Sequence, residues 1–279
     1  MMNLAFVLAA SAILAAVAYW ELVLAEGVHL GPRVVALLYD LIARRYDRIK
    51  QFDRSYEEWF LGEPLAQALA CVRHPLVLDV ATGTGRLPRT LMAQPGFNGR
   101  VVGLDSSRAM LAQAAQDATD RLTLIWQDAS RLPFEDDAFD AVTCLEALEF
   151  MPDTRQALGE IIRVLRPGGV TLLTNRVGLW ARFLPGHTQS PKAFEELLRS
   201  MGLEHIQTQT WQVEYNLLWA VKSGHTTRLE ARPLADILRC PDCSGRLAQV
   251  DHSVICDHCG RVSRIAPDSV MELMRGVRR

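Results

Sequence analysis

The sequence predicts an α/β protein: an open, mostly parallel sheet of seven strands, preceded by an apolar helix and followed by a small cysteine-rich module. Three observations predict it. Between residues 74 and 222, short apolar runs alternate with helical stretches, the pattern of a parallel sheet with crossover helices. A glycine-rich turn, Ala81-Thr82-Gly83-Thr84-Gly85, follows the first of those runs. Two Cys-x-x-Cys pairs stand near the C-terminus.

The chain has 279 residues, enough for one full-sized domain and small additions. Its net charge of -2 gives the whole chain no basic footprint, so a nucleic-acid substrate is disfavoured but not excluded. Composition does not specify an oligomeric state.

Residues 1–26 form the apolar segment. No charged side chain stands between Met1 and Trp20, and apart from Glu21 the apolar character reaches Ala25. A helix of about 20 apolar residues crosses a bilayer. Tyr19 and Trp20 fall where an interfacial aromatic belt would lie. Ala16-Val17-Ala18 imitates a signal-peptide cleavage site, but the first basic residue is Arg33, so the basic n-region is missing. Arg33, Arg44, Arg45, Arg48 and Lys50 then place the following bulk in the cytoplasm. The expectation is a membrane-associated protein with its catalytic domain in the cytoplasm. The alternative is a buried or surface-lying helix of a soluble protein.

Residues 32–73 read as a helical extension, with Val34, Leu37, Leu38, Leu41 and Ile42 as an amphipathic stripe. In the block 74–222, strands are expected at 76–80, 100–104, 122–126, 138–145 and 169–174. Helices are expected at 87–93, 107–117, 154–165 and 191–201, and two late strands at 204–211 and 214–221 form an edge hairpin. Residues 223–235 read as a linker, and residues 236–279 hold the cysteine pairs.

Four signals recur along this block. The turn at Gly83 and Gly85 lets backbone approach a ligand, because no Cβ blocks the way. A nicotinamide-dinucleotide fingerprint wants a third glycine, and Pro88 stands there instead. Asp105 ends the second strand, where a carboxylate can accept hydrogen bonds from ribose hydroxyls. Asp128, in Gln127-Asp128-Ala129, can accept from an adenine amino group. Arg166-Pro167-Gly168-Gly169 makes a helix stop and tight turn. Singly, each has a plainer reading: Asp105 as a helix cap, Asp128 as a turn residue.

Taken in order, residues 77–170 resemble the Rossmann-like class I S-adenosylmethionine (SAM)-dependent methyltransferases, in the branch of ubiquinone- and menaquinone-biosynthesis enzymes. The matching stretches are Val77 to Gly85, Gly103 to Leu111, Gln127-Asp128-Ala129 with Leu132-Pro133-Phe134, Phe139-Asp140-Ala141-Val142, and Leu165 to Gly169. The resemblance implies site roles. Asp79, Ala81, Thr82, Gly83, Thr84 and Gly85 would surround the methionine end of SAM. Asp105 would hold the ribose, and Asp128 and Ala129 would meet the adenine amino group. Ser106 and Met110 would flank the adenine ring, Leu145 would close the pocket below the sulfonium, and Tyr46 would cover the cofactor.

Methyl transfer from a sulfonium asks the protein chiefly for orientation and desolvation, and a phenol or carbon nucleophile benefits from a base. Glu146, just beyond the fourth strand, is the first candidate base, with a solvated turn acid as its plainer reading. The stretch 176–190, with Trp180, Arg182, Phe183 and His187, reads as a lid, and His187 is a second candidate catalytic residue.

Cys240, Cys243, Cys256 and Cys259 form two knuckles 12 residues apart, a pattern for structural zinc. Residues 234–247 resemble the small zinc-ribbon activators of tRNA and release-factor methyltransferases, although Ile265-Ala266-Pro267 only partly matches their apolar segment. The favoured function is a membrane-tethered methyltransferase acting on a small, apolar, lipid- or quinone-like acceptor. The alternatives are a tRNA, rRNA or protein methyltransferase with a fused activator-like ribbon, and a non-catalytic SAM-binding scaffold. No Asn-Pro-Pro-Tyr-like motif follows strand four, which disfavours the former.

Overall fold

The computed structural model describes residues 4–226 and 232–274. Parts of three expected segments (1–26, 223–235 and 236–279) therefore lie outside the described residues.

The chain opens with helix α1 (Leu4–Tyr19), which continues as a wider π-turn through Trp20–Leu24. Residues Phe6–Leu24 make one helix long and apolar enough to cross a bilayer, and 6% of that span is buried in the protein. Short helices follow: α2 (Pro32–Ile42), α3 (Tyr46–Lys50), α4 (Arg54–Glu57) and α5 (Glu63–Ala68). The amphipathic stripe of α2 is only partly covered by the protein. Val35 is the buried residue, whereas Leu37 and Leu41 point outward at 56% and 74% exposure.

The alternating block then runs β1 (Leu76–Val80), α6 (Arg86–Met92), β2 (Arg100–Asp105), α7 (Arg108–Ala114), β3 (Leu122–Trp126), β4 (Phe139–Cys144), α8 (Thr154–Val164) and β5 (Leu165–Arg176). After it come α9 (Gly178–Ala181), α10 (Pro191–Ser200), β6 (Leu203–Trp211) and β7 (Tyr215–Lys222). β1 and β4 are buried at every position, which is why they read as unbroken apolar runs. Side-chain oxygens cap the helices where the sequence offers them: Ser107 for α7, Asp153 for α8 and Ser190 for α10.

Seven strands of this block pair in the order β3-β2-β1-β4-β5-β7-β6. β1 to β5 are parallel, and β7 runs antiparallel between β5 and β6. The order reverses between β1 and β4, and the crevice beyond the carboxyl ends of the strands there is where such sheets bind ligands. At the opposite end, Asp140 accepts from the Leu76 backbone N–H at 2.8 Å and from Arg166 at 2.5 Å. The Phe139-Asp140 and Arg166-Pro167-Gly168-Gly169 motifs thus fasten the base of the sheet.

The C-terminal part adds α11 (Leu234–Ile237) and a three-stranded antiparallel sheet, β8 (Leu247–Val250), β9 (Ser253–Cys256) and β10 (Val262–Arg264). An eighth strand then joins the main sheet: β11 (Met271–Glu272) lies parallel to β3, pairing Met271 with Ile125 and Glu272 with Trp126. Arg108 ties it down through Asp268 at 2.7 Å and Glu272 at 2.9 Å. Leu132-Pro133-Phe134 forms the other seam. Arg239 N donates to Pro133 O at 2.8 Å, and Glu135 N donates to Ile237 O at 2.9 Å. Ile237, Leu238, Val254 and Leu273 are buried in the same apolar cluster as Leu78 and Phe134. The small module and the large sheet therefore share a core.

Leu273 is fully buried in that shared core. Leu273→Ala should cost about 2–4 kcal/mol in a denaturant titration, the usual range for such a truncation, and should expose the tail to limited proteolysis earlier than the rest of the chain.

Candidate functional site

The turn after β1 combines three left-handed backbone positions: Ala81 at φ 57°, Gly83 at φ 56° and Gly85 at φ 80°. A Cβ on Gly83 would meet nothing within 4 Å, so its face of the backbone is open to a ligand. A Cβ on Gly85 would instead press on Ala114 at 3.2 Å, so this glycine serves helix packing. Gly103 lets the turn cross β2, since a Cβ there would lie 2.9 Å from Thr82 Cγ2.

A cavity of about 580 Å³ opens over this turn. Its walls follow the strand order. Asp128 and Ala129 come from beyond β3, and Asp105 and Ser106 from the end of β2. Ala81 and Gly83 come from beyond β1, and Leu145 and Glu146 from beyond β4. Met110 of α7 and Tyr46 also line it. Asp105 holds the turn together: Oδ2 accepts from Gly83 N–H at 2.8 Å and Oδ1 from Ser107 N–H at 2.7 Å. Burial pushes its carboxyl up to about 6, against those backbone hydrogen bonds. Asp128 Oδ1 accepts from Ser130 N–H at 2.8 Å, so part of its turn role is real.

Four residues expected at the cofactor stand behind this wall. Asp79 is buried beneath the turn, accepts from Thr143 Oγ1 at 2.6 Å, and is raised by burial to about 6. Thr82 packs on β2, Gly85 on α7, and Thr84 donates to Asp47 at 2.5 Å. Their contribution is to the shape of the turn. His187 does not line the cavity. Its ring meets His29 edge-on at 5.6 Å, and His29 stacks on Trp20, so His187 belongs to the root of the N-terminal helix.

Glu146 lines the cavity in a setting that opposes proton uptake. It bonds Arg86 at 2.8 Å and Lys50 at 3.1 Å, and Arg86 also pairs with Glu57 at 3.1 Å. Burial alone would raise Glu146, but the two cations overturn that and hold its carboxyl below its ordinary value. Arg86 is fixed in turn over Phe52 at 4.3 Å and Trp211 at 5.2 Å. Glu146 is thus held between two cations at this corner of the cavity.

The sequence reading missed part of the wall. Tyr39, Phe150 and Met151 supply an aromatic and apolar end. Tyr39 lies 5.9 Å from Tyr46 and 6.1 Å from Phe150, ring centre to ring centre. Pro241, Asp242, Arg261, Leu273 and Met274 of the C-terminal module complete the wall near Asp128. No local motif marks either group, because each is assembled from distant segments.

In that module the sulfur atoms of Cys240, Cys243, Cys256 and Cys259 all lie within 4.8 Å of one another. A tetrahedral ion bound at about 2.3 Å per thiolate requires such spacing. Gly245 is fitted to the cluster: a Cβ there would stand 3.0 Å from Cys256 Sγ and 3.3 Å from Cys243 Sγ.

Comparison with known proteins agrees with this architecture. Residues 77–169 match a family model described as a methyltransferase domain. The demethylmenaquinone methyltransferase of Lactiplantibacillus plantarum is 40% identical over 139 residues, which are 47% of this chain and 57% of that protein. The 2-phytyl-1,4-naphtoquinone methyltransferase of Synechococcus elongatus is 34% identical over 153 residues, 50% of this chain and 62% of that protein. This chain thus spans less than two thirds of the length of either relative. A SAM-dependent methyltransferase from Aquifex aeolicus superposes with a TM-score of 0.52, covering 65% of this chain and 97% of that one at 18% identity. The central block has the class I methyltransferase fold.

Glu146→Gln should leave Arg86 under-neutralised in a buried site and lower stability at pH 7 by about 3 kcal/mol. The depressed carboxyl stabilises the fold above the ordinary glutamate range and loses that effect as pH falls through its folded value. The gap between variant and wild type should therefore narrow in acid, which denaturant titrations across pH would measure.

Proposed function

We propose that the chain is a SAM-dependent methyltransferase whose acceptor is a small, apolar, quinone-like ring, and that it works tethered to the cytoplasmic face of a membrane. The observation that carries the reading is the single cavity that joins a carboxylate-bearing end, Asp105 and Asp128, to an aromatic end, Tyr39, Tyr46 and Phe150, across the β1/β4 reversal. The donor set fits SAM: an open backbone face at Gly83, Asp105 for ribose hydroxyls, and Asp128 with Ala129 for the adenine edge. When bound, SAM supplies an electrophilic methyl group whose bond to sulfur breaks as the acceptor attacks, the electron pair remaining on sulfur.

The protein's part is positioning. Leu145 and Met110 give the cavity apolar wall, and the rings of Tyr39 and Phe150 offer flat apolar surface to an aromatic acceptor. Tyr46, pushed up to about 12 by burial, stays a neutral phenol that can donate a hydrogen bond. The two relatives, a demethylmenaquinone and a 2-phytyl-1,4-naphtoquinone methyltransferase, support a naphthoquinone-type ring as acceptor. The exposed apolar helix Phe6–Leu24 supports the tether. Four thiolates in tetrahedral spacing support a structural zinc ion.

Incubated with methyl-labelled SAM and separate lipid, RNA and protein fractions of cells, the protein should label the lipid fraction. Label confined to RNA or protein would overturn the acceptor assignment. Asp105→Asn should weaken SAM binding about 10- to 100-fold, the worth of a lost charge-assisted pair of hydrogen bonds. In the wild type, SAM affinity should rise as pH increases through about 6, where the buried Asp105 becomes a carboxylate; calorimetry at pH 5 and 7.5 measures both effects.

Metal analysis should find one zinc per chain, and Gly245→Ala should lower zinc retention under a competing chelator by crowding two thiolates. Stripping the zinc should lower the melting temperature of the full chain, because the module shares the core of the main sheet.

A further inference from the structure

The root of the N-terminal helix and the aromatic end of the cavity are neighbours. Ala25, Val28 and Leu184 form a small buried cluster, with Trp20 and Phe150 packed against it. Phe150 also lines the cavity. Tyr39, another lining residue, donates to Glu26 at 2.6 Å, just past the helix. One layer of side chains therefore separates the cavity from the point where the apolar helix leaves the protein.

The surface around this root is unusually apolar for a domain in water. Leu184 ends the α9 segment, which carries Leu179, Trp180 and Phe183 at 71%, 40% and 36% exposure. The β6–β7 turn lies alongside: Val177 N donates to Glu214 O at 2.7 Å, and Val213 is 94% exposed. From the other side of the root, α2 presents Leu37 and Leu41, one turn apart on a single face. Just beyond α2 stand the exposed Arg44, Arg45 and Arg48. Exposed aromatic and aliphatic side chains with a basic fringe are what an anionic bilayer surface accommodates. Scattered single apolar residues would need no explanation, but here they adjoin a helix that has the length of a bilayer span.

We propose that the α9 segment and the Val213 turn lie in the headgroup region of the bilayer that the N-terminal helix enters, so that a lipid acceptor reaches the cavity from the membrane, past Phe150. This rests on the tether reading above and adds an orientation and an entry side. His29, stacked on Trp20 and met edge-on by His187, braces the junction between helix and domain.

The test uses the full chain reconstituted with phosphatidylglycerol and phosphatidylethanolamine vesicles. A photoreactive benzoylphenylalanine replaces Leu179 or Val213, and Asp251 on the far module serves as control; all three positions are exposed. Flotation is read first, then lipid adducts by mass spectrometry. The proposal expects flotation, with adducts at 179 and 213 about tenfold above those at 251, since interfacial residues sit among lipid headgroups. Protein that floats but gives equal adducts at all three positions overturns the docking face while the tether stands. Adducts to a second protein chain at 179 or 213 overturn it in favour of self-association. Protein that fails to float overturns the tether, and the docking face with it.

Discussion

Everything at this site depends on the backbone of one turn. Residues 81–85 reverse direction over the end of β1 by taking left-handed conformations at Ala81, Gly83 and Gly85. Two of these are glycines, for which that region is free of strain; Ala81 is not, and is held there by its surroundings. Asp105 supplies part of the hold, since its carboxylate accepts the Gly83 N–H. Asp79 supplies support from below through Thr143, its partner across β1 and β4. The same carboxylate that braces the turn also faces the cavity, so shape and ligand chemistry are joined in one side chain.

The fold was largely legible because its signals are local. A strand buried on both faces is an unbroken apolar run, and capping serines and aspartates mark helix starts within three residues of their partners. The strand β11 was not legible. Met271 and Glu272 carry no periodicity of their own, and only the open edge of β3 makes them a strand. The α2 stripe was legible as a helix but not in its direction, because a periodic apolar face reveals that something covers it and not what does.

The site was legible in part, for a related reason. Asp105, Asp128 and Gly83 follow strand ends, so their place is fixed by topology once the strands are known. Glu146 was also placed at the cavity, yet its chemistry depends on Lys50 and Arg86, 96 and 60 residues away in sequence. Two cations, converging from α3 and α6, hold this carboxylate and favour its ionised form. His187 shows the reverse error: a residue type suited to catalysis, placed by the fold against another histidine, His29, away from the cavity wall. Asp140 and Arg166, which the sequence places within motifs, pair at the base of the sheet, away from the cavity.

The strand β11 has a consequence for how the cavity is kept whole. It covers the carboxyl end of β3 at Ile125 and Trp126, where backbone groups would otherwise stand open to other chains. As part of the same chain it meets β3 intramolecularly, at an effective concentration on the order of millimolar for a short connection. A separate subunit contributing the same strand would detach on dilution and would have to be made in matched amounts. Here the part of the wall formed by Leu273 and Met274 comes with the chain itself, and its presence does not depend on protein concentration.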